Sequence, residues 1–394
     1  MRKIGIVTCT ILLALALATL PACSSGQGSE ASSSQTASVV EGAQSTTNGA
    51  VVPVTTEHVR LIGRTCVEDS VTWLPQSGSA VEFRVTGKRV ELELAGDDNV
   101  NKKKDLRPRF AVLVDGEVVL DDTMDESTRV VEAFSGETER TAVVEVIHLS
   151  EALNGAVGVK TISVDSRETD CVVPTAEKDM SIEFIGDSIT CAYGVESSSA
   201  DDSFTTTTEN FMKSYAYLAA QELGADYSAV CYSGYGVVSG WSDDGSRNTE
   251  RLVPPLYGVV AKGYEEPWDY AAHPYDVVVV NLGTNDFVYT GTNKDRMEEF
   301  AQGYADFLVK IHESHPDAYL ICTLGTMEVL ELYPYVEKAA AEYTARTKDD
   351  RITCYPSEPM NVEADGAGAN EHPTAKTQQK SADALVKVIR SVVR

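Results

Sequence analysis

The segment Ile182-Glu183-Phe184-Ile185-Gly186-Asp187-Ser188-Ile189-Thr190 decides how the second half of this chain is read. A short, largely apolar run ends at a glycine, as a strand does where it breaks at the edge of a sheet. Open α/β folds keep their sites at the carboxyl ends of the strands, so Asp187 and Ser188 are presented where chemistry is done. Ser188, exposed and close to a helix start, has the setting of a nucleophile. Gly-Asp-Ser is also ordinary turn chemistry, and a turn serine capping a helix is the plain alternative. Two later segments separate these readings. Tyr275-Asp276-Val277-Val278-Val279-Val280 is the continuous apolar run of a buried parallel strand, and it leads into Asn281-Leu282-Gly283-Thr284-Asn285-Asp286. His372-Pro373 follows a Gly-rich loop and precedes the last helical stretch, with Pro373 suited to a first helical turn.

Working outward, strands are expected at Ile182–Ile185, Tyr227–Cys231, Val277–Asn281, Tyr319–Thr323 and Ile352–Tyr355. Helical patterns lie between and after them, at Phe211–Leu223, Arg296–His315, Tyr335–Thr347 and Thr374–Val393. This alternation predicts an α/β domain over residues 180–394, a five-stranded parallel sheet with helices on both faces in a flavodoxin-like order. Residues 57–172 read differently. Val81, Phe83 and Val85 alternate with polar residues, as do Val90, Leu92 and Leu94, and Asp115-Gly116 joins two apolar runs as a two-residue hairpin turn. Period-two patterning without long helices predicts an N-terminal β-sandwich, jelly-roll-like.

The first 22 residues have the form of a targeting segment: Arg2 and Lys3, an apolar stretch to Leu20, then Pro21-Ala22-Cys23. A small residue before a cysteine at that point resembles a bacterial lipoprotein signal, which predicts lipidation at Cys23 and an anchored protein on the outer face of a membrane. A plain secretory signal or an uncleaved anchor is the alternative. Residues 23–56 are rich in Ser, Thr, Ala and Gly and read as a flexible tether. The formal net charge of −27 argues against nucleic acid or an anionic lipid surface as partner, since both require basic patches. None of the eight cysteines forms a Cys-x-x-Cys pair, and no Walker sequence, dinucleotide fingerprint or metal cluster is visible. No cofactor or metal is therefore expected. Cys66 and Cys171 lie near the two ends of the β region, where a disulfide between them is open.

Gly-Asp-Ser, a glycine after the next strand, Gly-x-Asn-Asp and a late histidine, in this order, resemble the SGNH (GDSL-type) hydrolases. Softer local matches extend the resemblance to the two-domain carbohydrate esterase family two. They are Gly63-Arg64-Thr65, Gln76-Ser77-Gly78, Glu209, Ser214-Tyr215-Ala216-Tyr217, Pro254-Pro255-Leu256-Tyr257 and Trp268-Asp269. The resemblance covers about residue 57 to the end. It implies Ser188 as nucleophile and His372 as base. The oxyanion hole would be built from the Ser188 amide, the Asn285 side chain and a glycine of Ser233-Gly234-Tyr235-Gly236. Gly234 is preferred for that glycine, with Gly236 its competitor. SGNH enzymes usually place an Asp three residues before the histidine, and many family-two relatives place one two before. Here those positions are Ala369 and Asn370. His372 would then be oriented by a backbone carbonyl in a Ser–His dyad, by Asn370, or by a carboxylate from Asp365 or Glu371. The dyad fits the resemblance best. Trp268 and Tyr235 are expected to wall the substrate cleft, flat rings being suited to sugar faces.

The function expected is an extracellular serine esterase that removes acetyl groups from oligo- or polysaccharides through an acetyl–Ser188 intermediate. The resemblance implies the sugar 6-hydroxyl as acetyl position and xylan or glucomannan as substrate. Two alternatives stand beside it: an esterase or lipase for short acyl chains on non-sugar substrates, and a carbohydrate-binding lipoprotein without catalysis.

Overall fold

A computed structural model of the chain describes residues 49–393 apart from 167 and 169. The targeting segment, Cys23 and the tether up to residue 48 lie outside the described residues.

The parallel sheet is built from β1 (Ser181–Gly186), β2 (Asp226–Cys231), β3 (Val277–Asn281), β4 (Tyr319–Leu324) and β5 (Ile352–Pro356). Its order is β2-β1-β3-β4-β5, with every neighbouring pair parallel. The four valines of β3 show why the run before Asn281 carries no polar residue. Val278 and Val280 share a core with Phe300 and Tyr304 of helix Lys294–Ser314 and with Val336 of helix Tyr333–Thr347. Val277 and Val279 point the other way, into a core with Ala216 and Ala219 of helix Tyr215–Leu223 and Leu385 and Ile389 of helix Ala375–Val392. All four are fully buried, each contributing about 1.5–3 kcal/mol of transfer free energy as an upper value.

The β region departs from its expected layout in one respect. Val81–Thr86 and Val90–Leu94 read as separate strands, but Ala80–Gly96 is one 17-residue strand. The register against its neighbour Thr128–His148 shifts between Gly87 and Arg89. A bulge there absorbs the break and adds twist, so the chain bends without leaving the sheet. The two layers of the expected sandwich are thereby joined into a single ten-stranded sheet, which encloses a core including Leu74, Phe83, Leu92, Phe110 and Val144. The Asp115-Gly116 turn has φ of 53° and 85°, the left-handed pair a two-residue hairpin needs. The domain also begins earlier than composition suggests: Ala50–Pro53 pairs with strand Val157–Val164, and Val52 is buried. All six cysteines of the described residues are free thiols, Cys66 and Cys171 included.

The β domain packs onto the α/β domain through buried polar contacts. Arg64 donates to Glu183 Oε1 of β1 at 2.9 Å and to the carbonyls of Tyr257 and Val259 at 2.7 and 2.6 Å. Both members of this ion pair are inaccessible to solvent. Burial would raise the Glu183 carboxyl; Arg64, His315 and Tyr257 instead hold it down at about 2. Removing one partner of such a pair leaves a buried charge uncompensated. Arg64→Ala is therefore expected to destabilise the protein by roughly 3–5 kcal/mol, read from the urea midpoint at unchanged slope. A loss below about 1 kcal/mol, the range of exposed pairs, would contradict the buried geometry.

Candidate active site

The turn that carries Ser188 follows from Gly186. A Cβ at that position would lie 2.0 Å from Thr190 Oγ1, so only glycine lets the chain turn sharply from β1 into the short helix Ser188–Cys191. Asp187 caps that helix, its Oδ1 accepting from the Ile189 amide at 3.0 Å. This leaves Ser188 at the first helical position, its hydroxyl 2.9 Å from His372 Nε2. That separation is within the reach proton transfer requires.

His372 is oriented by backbone. Its Nδ1 lies 3.1 Å from the Ala369 carbonyl and 3.0 Å from the Asn370 carbonyl. Carbonyls only accept, so Nδ1 carries the proton and Nε2 is the free base facing Ser188. Asn370 and Glu371 both adopt positive φ, 51° and 62°, which curls the loop so that these carbonyls turn back onto the ring. The Asn370 side chain makes no hydrogen bond to the ring among the described residues; its Oδ1 accepts from Tyr193 OH at 3.0 Å. Tyr193 packs on the imidazole with centroids 4.2 Å apart. Of the carboxylates that sequence placed as candidates, Asp365 is held by Lys376 and Lys380. Glu371 is exposed and makes no hydrogen bond to the ring among the described residues. The cause in both cases is loop direction, which sequence spacing does not reveal. Burial lowers the His372 imidazole below its ordinary value, and the two carbonyls oppose this in part.

Two glycines compete for the oxyanion loop after β2, and their surroundings distinguish them. The Gly236 amide is engaged by the Arg251 carbonyl at 3.1 Å, and a Cβ there would meet Asp286 Oδ2 at 2.6 Å. Gly234 has a φ of 80°, reached without strain only by glycine, and lies on the same cleft as Ser188. Neither its amide nor that of Ser188 has a hydrogen-bond partner among the described residues. Asn285, at the start of helix Thr284–Thr290, gives one Nδ2 hydrogen to the Tyr235 carbonyl at 2.9 Å. The other makes only a 3.4 Å contact with Asp187 Oδ2. Burial, with Asp286 nearby, pushes the Asp187 carboxyl up to about 7, weakening its claim on that hydrogen. Asp286 holds the loop itself, accepting from the amides of Val237, Val238 and Ser239 at 2.7–3.1 Å. Ser188, Gly234 and Asn285, which carry these three donors, thus line one cleft, and an oxyanion hole is built from donors of this kind. Asn285→Ala is expected to lower kcat by about 10²–10³-fold with little change in KM, read by steady-state kinetics on an acetyl ester. A kcat within threefold of the parent would remove Asn285 from the oxyanion hole.

The cleft has a volume of about 570 Å³ and is lined by Tyr193, Trp241, Arg251, Val288 and Met327 around the reacting pair. The rings expected to wall it lie elsewhere. Trp268 is buried, stacked on His273 with Arg64 over its face, where it supports the domain interface. The Tyr235 ring packs on Tyr232 and its hydroxyl meets Lys262 at 2.5 Å; only its backbone carbonyl serves the site. The exposed ring of the cleft is Trp241, 44% accessible. Sequence reasoning passed it over, although a tryptophan in a Gly- and Ser-rich loop just beyond the oxyanion glycine is a readable signal.

The pattern of the GDSL-like lipase/acylhydrolase family matches residues 184–380, half of the chain. The chain belongs to this family. Ahead of the GDSL-like domain, residues 61–174 match the N-terminal domain of carbohydrate esterase 2. The chain is 28% identical over 310 residues to the cellulase/esterase CelE of Acetivibrio thermocellus, a match covering 78% of this chain and 37% of CelE. It is 24% identical over 339 residues to an acetylxylan esterase / glucomannan deacetylase of Cellvibrio japonicus, covering 85% of this chain and 89% of that protein. The solved structure of a family two carbohydrate esterase from Clostridium thermocellum, in complex with cellohexaose, aligns with a TM-score of 0.74 at 26% identity, covering 84% of this chain and 98% of that one. A β domain followed by a GDSL-like domain is the architecture of these relatives, and the enzyme class is that of carboxylic ester hydrolases.

Proposed function

We propose that the protein is a serine esterase that removes O-acetyl groups from polysaccharides, on the outer face of a membrane to which Cys23 anchors it. The observation that carries this reading is the 2.9 Å contact between Ser188 Oγ and His372 Nε2 at the floor of an open cleft that also presents Trp241 and two unpartnered amides. In the reaction, His372 Nε2 takes the hydroxyl proton as Ser188 Oγ attacks the acetyl carbonyl. The Ser188 and Gly234 amides and Asn285 Nδ2 receive the oxyanion. His372 returns the proton to the departing sugar oxygen, leaving acetyl–Ser188. Water then attacks the acetyl carbon as His372 Nε2 takes its proton, the bond to Ser188 Oγ breaks to release acetate, and His372 returns the proton to Ser188 Oγ. The exposed Trp241 face favours a sugar over an alkyl chain, and the relatives' names point to acetylated xylan and glucomannan. A 6-O-acetyl, hanging away from the ring, best suits a cleft open at this depth.

The test is acetate release from acetylated xylan and acetylated glucomannan, with 4-nitrophenyl acetate alongside and the positions lost followed by NMR. Early loss of 6-O-acetyl signals supports the reading in full. Hydrolysis of the nitrophenyl ester alone would replace the sugar substrate by a simple short-chain ester. No release from any of the three would leave a binding protein. Labelled lipid incorporation abolished by Cys23→Ala tests the anchor.

A further inference from the structure

We propose that Glu151, a side chain of the β domain, is a positioning residue for the oxyanion hole. This rests on the esterase reading above. Glu151 lies just beyond the long strand Thr128–His148, at the edge facing the α/β domain. Its Oε2 accepts from the Ser233 amide at 2.7 Å, and the same oxygen lies 3.8 Å from Cys191 Sγ. Ser233 precedes Gly234, which lines the cleft and whose amide has no hydrogen-bond partner among the described residues. Cys191 closes the turn that begins at Ser188. One carboxylate oxygen therefore ties together the two loops that supply the backbone donors. Nothing else among the described hydrogen bonds takes the Ser233 amide.

The carboxyl is itself held in place. Its own backbone N–H donates to Glu209 Oε2 at 3.0 Å, and Glu209 is anchored through its carbonyl by Arg109 Nη1 at 3.1 Å. Glu151 and Glu209 are both buried, with 2% and 0% exposure. A buried acid is costly and survives where its hydrogen bonds fix something that matters. What this one fixes is the mutual placement of the Gly234 and Ser188 amides. Misplacement of a donor by an ångström is enough to cost a factor of about 10² in rate. The β domain thus takes part in turnover without touching substrate.

The experiment compares Glu151→Met with Glu151→Gln on 4-nitrophenyl acetate, with thermal melting of each. The two side chains are of similar length, but only Gln can accept from Ser233. Met is expected to lower kcat by about 10–100-fold with KM within about twofold, and Gln to stay within about threefold of the parent. Should Glu151→Met not fold, Glu151→Asp keeps the carboxyl group and withdraws the acceptor by one methylene; the same kcat loss is expected of it. Wild-type kcat in Met or Asp overturns the proposal, and so does a Gln variant as slow as Met. A parent protein without esterase activity sinks the functional reading and this inference with it; an active parent with unaffected variants sinks this inference alone.

Discussion

Ser188→Ala is expected to lower kcat for acetyl-ester hydrolysis by roughly 10⁴–10⁶-fold while leaving the folded protein as stable as its parent. The hydroxyl makes a single hydrogen bond, to His372, so its loss vacates one oxygen's space and leaves the packing of helix Ser188–Cys191 in place. The substrate still meets the Gly234 amide and Asn285, so a residual rate above the uncatalysed one is expected from oxyanion stabilisation alone. Acetate release and 4-nitrophenyl acetate turnover, with a melting curve for each protein, check both halves of the statement. A variant that retains more than a few per cent of parental kcat would move the nucleophile elsewhere.

His372→Ala is expected to be about as damaging, and the double variant no worse than either single one, because nucleophile and base act as a unit. The imidazole also sets the pH profile. Attack requires the neutral ring, and burial lowers the pKa of His372. The base form then persists to lower pH than in a free histidine. The acid limb of kcat/KM should therefore fall below the ordinary histidine value of about 6.5, with activity rising through it as pH increases. A limb at 7 or above would mean that a carboxylate, not the two carbonyls, faces Nδ1. A carbonyl carries only a partial charge and stabilises the imidazolium of the transition state less than a carboxylate does. The site gives up rate for a base that stays ready in mildly acidic surroundings.

What the residues disclosed and what they withheld follow from the range of the interactions. β3 was readable because burial on both faces writes itself as an unbroken apolar run, and β1 because its run, broken only by Glu183, ends at Gly186. That Ser188, Asn285 and His372 meet on one cleft was readable because each lies within a few residues of a strand end or a helix start, at positions the fold fixes. The orientation of His372 was not, since a backbone carbonyl has no letter of its own and depends on two successive left-handed residues at Asn370 and Glu371. Trp268 and Trp241 differ in exposure, a property of the tertiary neighbourhood rather than of local pattern. That the alternations at Val81–Val85 and Val90–Leu94 belong to one strand was not readable, because a bulge between Gly87 and Arg89 interrupts the pattern as a turn would. Glu151 was passed over because its partner Ser233 is 82 residues away and the contact is to an amide.

The polar seam between the domains carries a consequence for how the molecule comes apart. Arg64, Gln76 and Arg109 each reach from the β domain to backbone or side-chain acceptors of the other. Neither half can separate without stranding buried charges and donors. The two domains should then lose their structure in one cooperative calorimetric transition. The β domain is thus a fixed half of the enzyme, not an appended module that could be excised or exchanged for another.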